Sequence, residues 1–96
     1  MTISNKTKIG KNVSISSTAK IFDNVIIEDN VKIGDFCSIG FTNNPDTSKN
    51  LIIKNNVNIN SHSIIYNNST IGENTIIGHN VLIREKTIIE NNVQVG

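Results

Sequence analysis

The sequence predicts a single all-β domain, a solenoid of about five triangular coils with one extruded loop near residues 41–50. Three observations predict this fold. Isoleucine recurs every six residues, a small or β-branched residue follows four positions later, and asparagine is frequent just before that small residue. A six-residue period fits neither a helix nor a long alternating strand, and a fixed repeat has to be read before local propensities.

The isoleucine column defines the strands. Fourteen hexads begin with isoleucine and a valine starts the next one: Ile3, Ile9, Ile15, Ile21, Ile27, Ile33, Ile39, then Ile53, Ile59, Ile65, Ile71, Ile77, Ile83, Ile89 and Val95. Short β-branched segments favour strands. Three hexads make one triangular coil with both apolar columns inside, and successive coils pair as parallel strands about 4.8 Å apart. Cys37 lies in the small column, which predicts a buried structural thiol.

The turns are predicted at the fourth position of each hexad, because asparagine tolerates the left-handed αL conformation. This position holds Asn12, Asn24, Asn30, Asn56, Asn68, Asn74, Asn80 and Asn92. All six glycines occupy the second position, where the chain leaves the isoleucine. Each hexad is therefore one short strand followed by one tight turn.

Composition limits the function classes. With 96 residues the chain is one domain, residues 1–96, and its net charge of +1 with interspersed signs argues against nucleic-acid binding. The sequence holds no apolar run of membrane-spanning length, and its first residues do not form a signal peptide. We therefore predict a cytoplasmic protein that binds neither nucleic acid nor membrane.

The segments "IGKNVSI", "IEDNVKI" and "IGHNVLI" resemble the repeat of the hexapeptide-repeat acyltransferases, over nearly the whole chain. The resemblance implies a left-handed parallel β-helix, a homotrimer with sites between subunits, and acetyl-CoA as co-substrate. The pattern is most similar to acetyltransferases acting on nucleotide-linked amino sugars. Longer members of the family continue with further coils. Three alternatives are therefore open for this domain: it is truncated at its C-terminal end, it is naturally short, or a partner caps it.

The interruption between Ile39 and Ile53 spans fourteen residues, two more than two hexads. We interpret Pro45–Asp46 as the tip of a loop, with Thr47 and Leu51 forming one degraded hexad. Counted this way, the hexads at 39, 59 and 77 stack on one face, and the loop shares a corner with both histidines. Loops extruded from a rigid scaffold often shape a site. Three residues at this corner are predicted to bind substrate: Asn43, Asn44 and Ser61.

His79 is the candidate general base, because a neutral imidazole can accept the proton of an attacking amine or hydroxyl. The resemblance implies the same role, since the family places its base in a segment like "IGHNVLI". Asn80 stands where the family has an acidic neighbour. His62, in an αL turn position, is either a second catalytic residue or a turn residue. Counting the coils places His79 directly above Ser61.

Two further positions complete the predicted site. Tyr66 and Arg84 occupy the second hexad position one coil apart, either as a surface stack or, through Arg84, as a phosphate contact. Two alternatives to the acyltransferase stay open. One is a non-catalytic scaffold. The other is a zinc carbonic anhydrase-like protein, disfavoured because catalytic zinc usually takes three protein ligands and the chain has two histidines; no metal is expected.

Overall fold

The computed structural model describes residues 2–3, 6–44 and 49–96. Within these ranges the chain forms short strands, and no helix there is long and apolar enough to cross a membrane. The strands are β1 Thr2–Ile3, β2 Lys8–Ile9, β3 Ser14–Ile15, β4 Lys20–Ile21, β5 Val25–Ile27, β6 Lys32–Ile33, β7 Ser38–Phe41, β8 Leu51–Ile53, β9 Asn58–Ile59, β10 Ile64–Tyr66, β11 Ser69–Ile71, β12 Ile76–Ile77, β13 Leu82–Ile83, β14 Ile88–Ile89 and β15 Gln94–Val95.

The strands form three five-stranded sheets, and every pairing is parallel. Face 1 contains β1, β4, β7, β10 and β13; face 2 contains β2, β5, β8, β11 and β14; face 3 contains β3, β6, β9, β12 and β15. Each strand therefore pairs with the strand three later, which is the topology of a parallel β-helix. The predicted all-β solenoid of five coils is confirmed.

The core consists of the two inward columns that the repeat predicts. Isoleucines in the middle coils are fully buried, and both ends of the stack are more open, with Ile9 exposed and Ile89 half-buried. The buried apolar residues are Ala19, Ile21, Val25, Ile27, Val31, Ile33, Cys37, Ile39, Leu51, Ile53, Val57, Ile59, Ile65, Ile71, Ile77 and Ile83. Burial of this continuous apolar stack is the main favourable term for the fold.

Polar members of the small column connect one coil to the next. The Ser63 hydroxyl donates to the Gly78 carbonyl oxygen at 2.7 Å, and the Val81 amide donates to the same hydroxyl at 3.2 Å. The Cys37 thiol is buried and donates to the Asn60 carbonyl at 3.1 Å. The burial of Cys37 confirms the predicted buried thiol, and loss of solvation on burial raises its pKa.

The corners adopt the left-handed backbone conformation predicted from asparagine. Positive φ angles occur at Asn12, Asn24, Asn30, Asn56, Asn68, Asn74, Asn80 and Asn92, and also at Phe36, His62 and Lys86. The αL assignment of His62 is confirmed, with φ of 64°. Phe36 and Lys86 were not predicted, since neither type favours αL. The stacked coils impose αL on these two residues, although Thr18, which also stands fourth in its hexad, does not adopt a positive φ.

The predicted count across the loop is wrong. Ile53 pairs with Ile27 on face 2, and Ile39 pairs with Ile65 on face 1. The chain therefore advances one face between Ile39 and Ile53, and the segment between them replaces one hexad rather than two. Leu51 is buried opposite Val25 as the small-column residue of that hexad. Thr47 and the predicted tip at Pro45–Asp46 lie outside the described residues.

Candidate active site

The two groups of predicted site residues lie at different corners of the prism. The histidine corner joins face 3 to face 1, and the loop corner joins face 1 to face 2. The histidine corner is formed by residues 16–18, 34–36, 60–62 and 78–80; among the described residues, the loop corner is formed by 22–24, 41–44, 49–50, 66–68 and 84–86. The prediction that the loop shares the histidine corner is wrong, because it depended on the incorrect count.

His79 lies on an exposed part of the histidine corner, held by its neighbours' backbone. The Gly78 amide donates to the Val95 carbonyl at 2.6 Å, and the Asn80 amide donates to the Ser61 carbonyl at 3.0 Å. A Cβ at position 78 would lie 3.0 Å from the Val95 oxygen, so glycine permits this close approach of the next coil. The backbone of His79 is therefore held by hydrogen bonds of both neighbouring residues, and its imidazole is exposed to solvent.

Ser61 lies one coil away from His79 in the same hexad position, as the sequence predicts. Its Oγ is 2.8 Å from Nδ1 of His79, a hydrogen bond in which either atom could be the donor. The sequence predicted that His79 stacks on Ser61, but it assigned Ser61 to substrate binding and did not predict the hydrogen bond. The spacing of eighteen residues between the two positions was the available signal, because side chains one coil apart stack.

His62 has a different environment, although it belongs to the same corner. Its amide donates to the Asp35 carbonyl at 2.9 Å, and its ring lies 5.2 Å from the ring of Phe36, centroid to centroid. Both side chains are exposed. These contacts fit a turn residue that packs on a neighbouring aromatic ring.

The nearest acidic residue in the column containing His79 is directed elsewhere. Asp35 lies one coil beyond Ser61, and its carboxylate accepts hydrogen bonds from Ser16 and, at 3.3 Å, from Thr18. Among the described residues, no three His, Cys, Asp or Glu side chains are arranged to hold a metal ion. The reactive pair that the structure brings together at this corner is the His79 imidazole and the Ser61 hydroxyl.

The loop corner contains the other predicted residues. Asn43 and Asn44 are exposed and line a cavity of about 220 Å³, together with Thr42, Asn67, Asn68, Glu85 and Lys86. Amide, hydroxyl, carboxylate and ammonium groups can all hydrogen-bond a polyhydroxylated ligand.

A column of aromatic rings anchors the loop and was not predicted. Phe22, Phe41 and Tyr66 stack edge to face, with centroids 5.6 and 5.2 Å apart. Gly40, with φ of 89°, precedes a register shift that brings Phe41 opposite Tyr66. The cation of Lys20 lies 4.5 Å from the Phe22 ring at the other end of the column.

The predicted stack of Arg84 on Tyr66 is present. The guanidinium carbon lies 4.5 Å from the ring centroid, and Nε is 3.0 Å from Oε1 of Glu85. This hydrogen bond lowers the pKa of the Glu85 carboxyl and raises the pKa of Arg84. Both groups are solvent-accessible, so the pair contributes little to stability.

Comparisons with known proteins agree with this architecture. The family model described as the GMPPB C-terminal domain matches residues 2–96, whereas no curated protein matches the sequence significantly. The crystal structure of Entamoeba histolytica serine acetyltransferase 1 in complex with L-cysteine is similar, with a TM-score of 0.77 at 16% identity. The match covers 100% of this chain and 38% of that enzyme.

At this identity the structural likeness shows the fold, which is the left-handed parallel β-helix that the repeat resembles. The chain spans well under half the length of that enzyme. The match over residues 2–96 shows the family. The chain belongs to the family described as the GMPPB C-terminal domain, a hexapeptide-repeat β-helix domain in nucleotide-sugar enzymes.

Proposed function

We propose that this chain is the β-helix module of an acyl-CoA-dependent acyltransferase, which transfers acetyl from acetyl-CoA to an amino or hydroxyl group of a nucleotide-linked sugar. The observation that carries the proposal is His79, an exposed imidazole on a rigid corner with Nδ1 hydrogen-bonded to Ser61. The family and the fold agree with this class of activity.

The proposed reaction needs one base and no covalent intermediate. Nε2 of His79 accepts the proton of the acceptor amine or hydroxyl as that group attacks the thioester carbonyl. The tetrahedral intermediate then expels the coenzyme A thiolate, which takes a proton to leave as the thiol. Such a base contributes typically about 10²- to 10⁴-fold to the rate.

The acceptor class rests on the family and on the loop corner. Domains of this family occur in nucleotide-sugar enzymes. The cavity beside Asn43 and Asn44 offers amide groups for sugar hydroxyls, and Tyr66 and Arg84 stand at the same corner. A guanidinium can bind a phosphate with two parallel hydrogen bonds, so Arg84 is the proposed contact for a nucleotide or coenzyme phosphate.

The histidine corner and the loop corner lie on opposite edges of face 1 in each subunit. A homotrimer would place the histidine corner of one subunit beside the loop corner of another. If face 1 of every subunit faces a threefold axis, the loop corner of one subunit meets the histidine corner of the next. Face 1 presents Ile64 and Leu82 outward, with 40% and 58% of their surface exposed. Burial of these side chains would favour the trimer.

Light scattering of the full chain tests this assembly. Leu82→Lys should dissociate the trimer, because it buries a charge at the interface. Ile76→Lys is the matched control, since Ile76 has the equivalent position on face 3 and is 41% exposed. A single 10.5 kDa species for the unmodified chain would refute the trimer.

Turnover of acetyl-CoA with a panel of amino-sugar nucleotides tests the activity. His79→Ala should reduce kcat by at least about 100-fold without changing thermal stability, because the side chain is exposed. Lys11→Ala is the control, as Lys11 is exposed in the same hexad position at the third corner. Unchanged turnover in His79→Ala would remove this residue from the mechanism.

The alternative is a non-catalytic scaffold for assembly. Outward apolar side chains on all three faces favour it, with Leu82 on face 1 being 58% exposed, Ile88 on face 2 being 78% exposed and Ile76 on face 3 being 41% exposed. A trimeric full chain that transfers no acetyl group to any nucleotide-linked acceptor would support the scaffold over the enzyme. The cytoplasmic location stays a prediction.

A further inference from the structure

The hydrogen bond between Ser61 and His79 has a consequence for the proton on the imidazole. A neutral imidazole carries one proton on one of its two ring nitrogens, and only the other nitrogen can act as a base. Ser61 Oγ lies 2.8 Å from Nδ1. Nδ1 is therefore engaged by Ser61, and Nε2 can act as the base only in the tautomer in which Nδ1 carries the proton and the hydroxyl accepts it.

The backbone around both residues holds this pair in register. The Ser61 carbonyl accepts from the Asn80 amide at 3.0 Å, and the Gly78 carbonyl accepts from the Ser63 hydroxyl at 2.7 Å. These hydrogen bonds join the coil that carries Ser61 to the coil that carries His79 and hold the two in a fixed relative position. Ser61 is half-buried while His79 is exposed, so the serine contacts the inner side of the ring.

No carboxylate takes this orienting role within the part of the chain that the structure describes. Asp35, one coil further along the column, has its carboxylate engaged by Ser16 and Thr18 on the opposite side. Glu85 lies at the loop corner and pairs with Arg84 at 3.0 Å. The serine hydroxyl is the group placed to determine which ring nitrogen of His79 carries the proton.

We propose that Ser61 is a positioning residue for His79: its hydroxyl accepts the Nδ1–H of the ring, so that Nε2 stays unprotonated and directed away from the coil. This proposal rests on the proposed function, in which Nε2 is the base. As an acceptor, the hydroxyl favours the Nδ1–H tautomer and holds the ring orientation, and because it is neutral it adds no negative charge beside the imidazole. Mutation of a group that orients a functional histidine in this way typically lowers activity about 10- to 100-fold.

Nitrogen chemical shifts of the His79 ring in the full-length protein test the tautomer without any substrate. The unmodified protein should show the Nδ1–H form. Ser61→Ala should shift the ring toward the Nε2–H form that free histidine favours, and Ser61→Thr, which keeps the hydroxyl, should restore Nδ1–H. Ser17→Ala is the matched control, because Ser17 has the same hexad position two coils from Ser61 and is exposed.

Steady-state kinetics test the consequence for the reaction. Ser61→Ala should lower kcat about 10- to 100-fold, with KM nearly unchanged, and Ser61→Thr should recover most of the loss. In the His79→Ala background, Ser61→Ala should have no further effect, because the two residues act as one unit.

Two results would overturn the proposal. One is a ring that carries its proton on Nε2 in the unmodified protein, and the other is an acetyl adduct on Ser61 in intact-mass spectra, which would make Ser61 a nucleophile. Failure of the proposed function gives a different pattern. In that case the unmodified protein transfers no acetyl group or His79→Ala keeps full turnover, while the nitrogen shifts still report whether Ser61 sets the tautomer.

Discussion

Lys86 offers a direct test of how strongly the stacked coils enforce the left-handed corner. Its φ angle is 64°, the conformation that asparagine adopts at most other corners. For most residues other than glycine, the αL conformation costs roughly 1–2 kcal/mol, whereas asparagine tolerates it better. Lys86 is exposed. Its backbone amide donates a hydrogen bond to the Asn68 carbonyl at 2.6 Å, which does not depend on the side chain.

We expect Lys86→Asn to raise the free energy of unfolding by about 1 kcal/mol, because it relieves the strain and removes only an exposed side chain. For a domain of this size that gain corresponds to a rise in Tm of about 4–8 °C. Lys86→Ala keeps a Cβ in αL, so its stability should stay within about 0.5 kcal/mol of the unmodified protein. Asn80→Ala, the reverse change at another corner, should lose about 1 kcal/mol.

Denaturant unfolding at one fixed protein concentration measures these differences, since subunit association makes apparent stability depend on concentration. The comparison of Lys86→Asn with Lys86→Ala separates backbone strain from the loss of the lysine side chain. Equal stability of these two variants would show that the corner imposes no αL penalty at position 86, and the reasoning would be refuted.

Three other predictions follow from the same structure. His62→Ala should cost about 1 kcal/mol or more in denaturant unfolding while His62→Asn is neutral or stabilising; equal losses in both would contradict the turn role. Gly72→Ala should destabilise by about 1–3 kcal/mol, because its Cβ would lie 2.5 Å from the Glu90 carbonyl oxygen, whereas Gly96→Ala, with its nearest contact at 3.5 Å, should have no measurable effect. Burial raises the pKa of Cys37, so the stability gained from its neutral thiol is full below the unfolded pKa and is lost as pH rises through the folded value. The stability of the native protein relative to Cys37→Ala should therefore fall above about pH 9, and a constant difference up to pH 10 would contradict this.

The sequence predicted the fold class well because a six-residue period leaves few alternatives. Each hexad carries its own strand, turn and inward side chains, so every position within a hexad can be assigned without knowledge of distant contacts. The stacking of His79 on Ser61, and of Arg84 on Tyr66, followed from counting within an uninterrupted run of hexads. Both pairs are present in the structure.

The count failed where the period stops. The three faces carry the same pattern of residues, so only an unbroken count can tell which face a hexad occupies. The segment between Ile39 and Ile53 breaks the count, and Leu51 fits equally well as the end of a degraded hexad or as the small-column residue before Ile53. Similarity of "NLII" to "NVII" one coil earlier was the overlooked signal for the observed pairing of Ile53 with Ile27.

The sequence by itself thus determined the repeat, the inward columns and most of the αL corners, because these depend on interactions within a hexad and on its fixed spacing. The tertiary structure decided which face follows the loop, since parallel pairing of β8 with β5 fixes a register that local sequence leaves open. It also imposed αL on Phe36 and Lys86 against their own preference, because the neighbouring coils at these corners have αL turns to which they are hydrogen-bonded. Only the tertiary structure showed that Ser61 is hydrogen-bonded to His79. It also showed that the asparagines of the loop lie at another corner, because that depends on which face follows the loop.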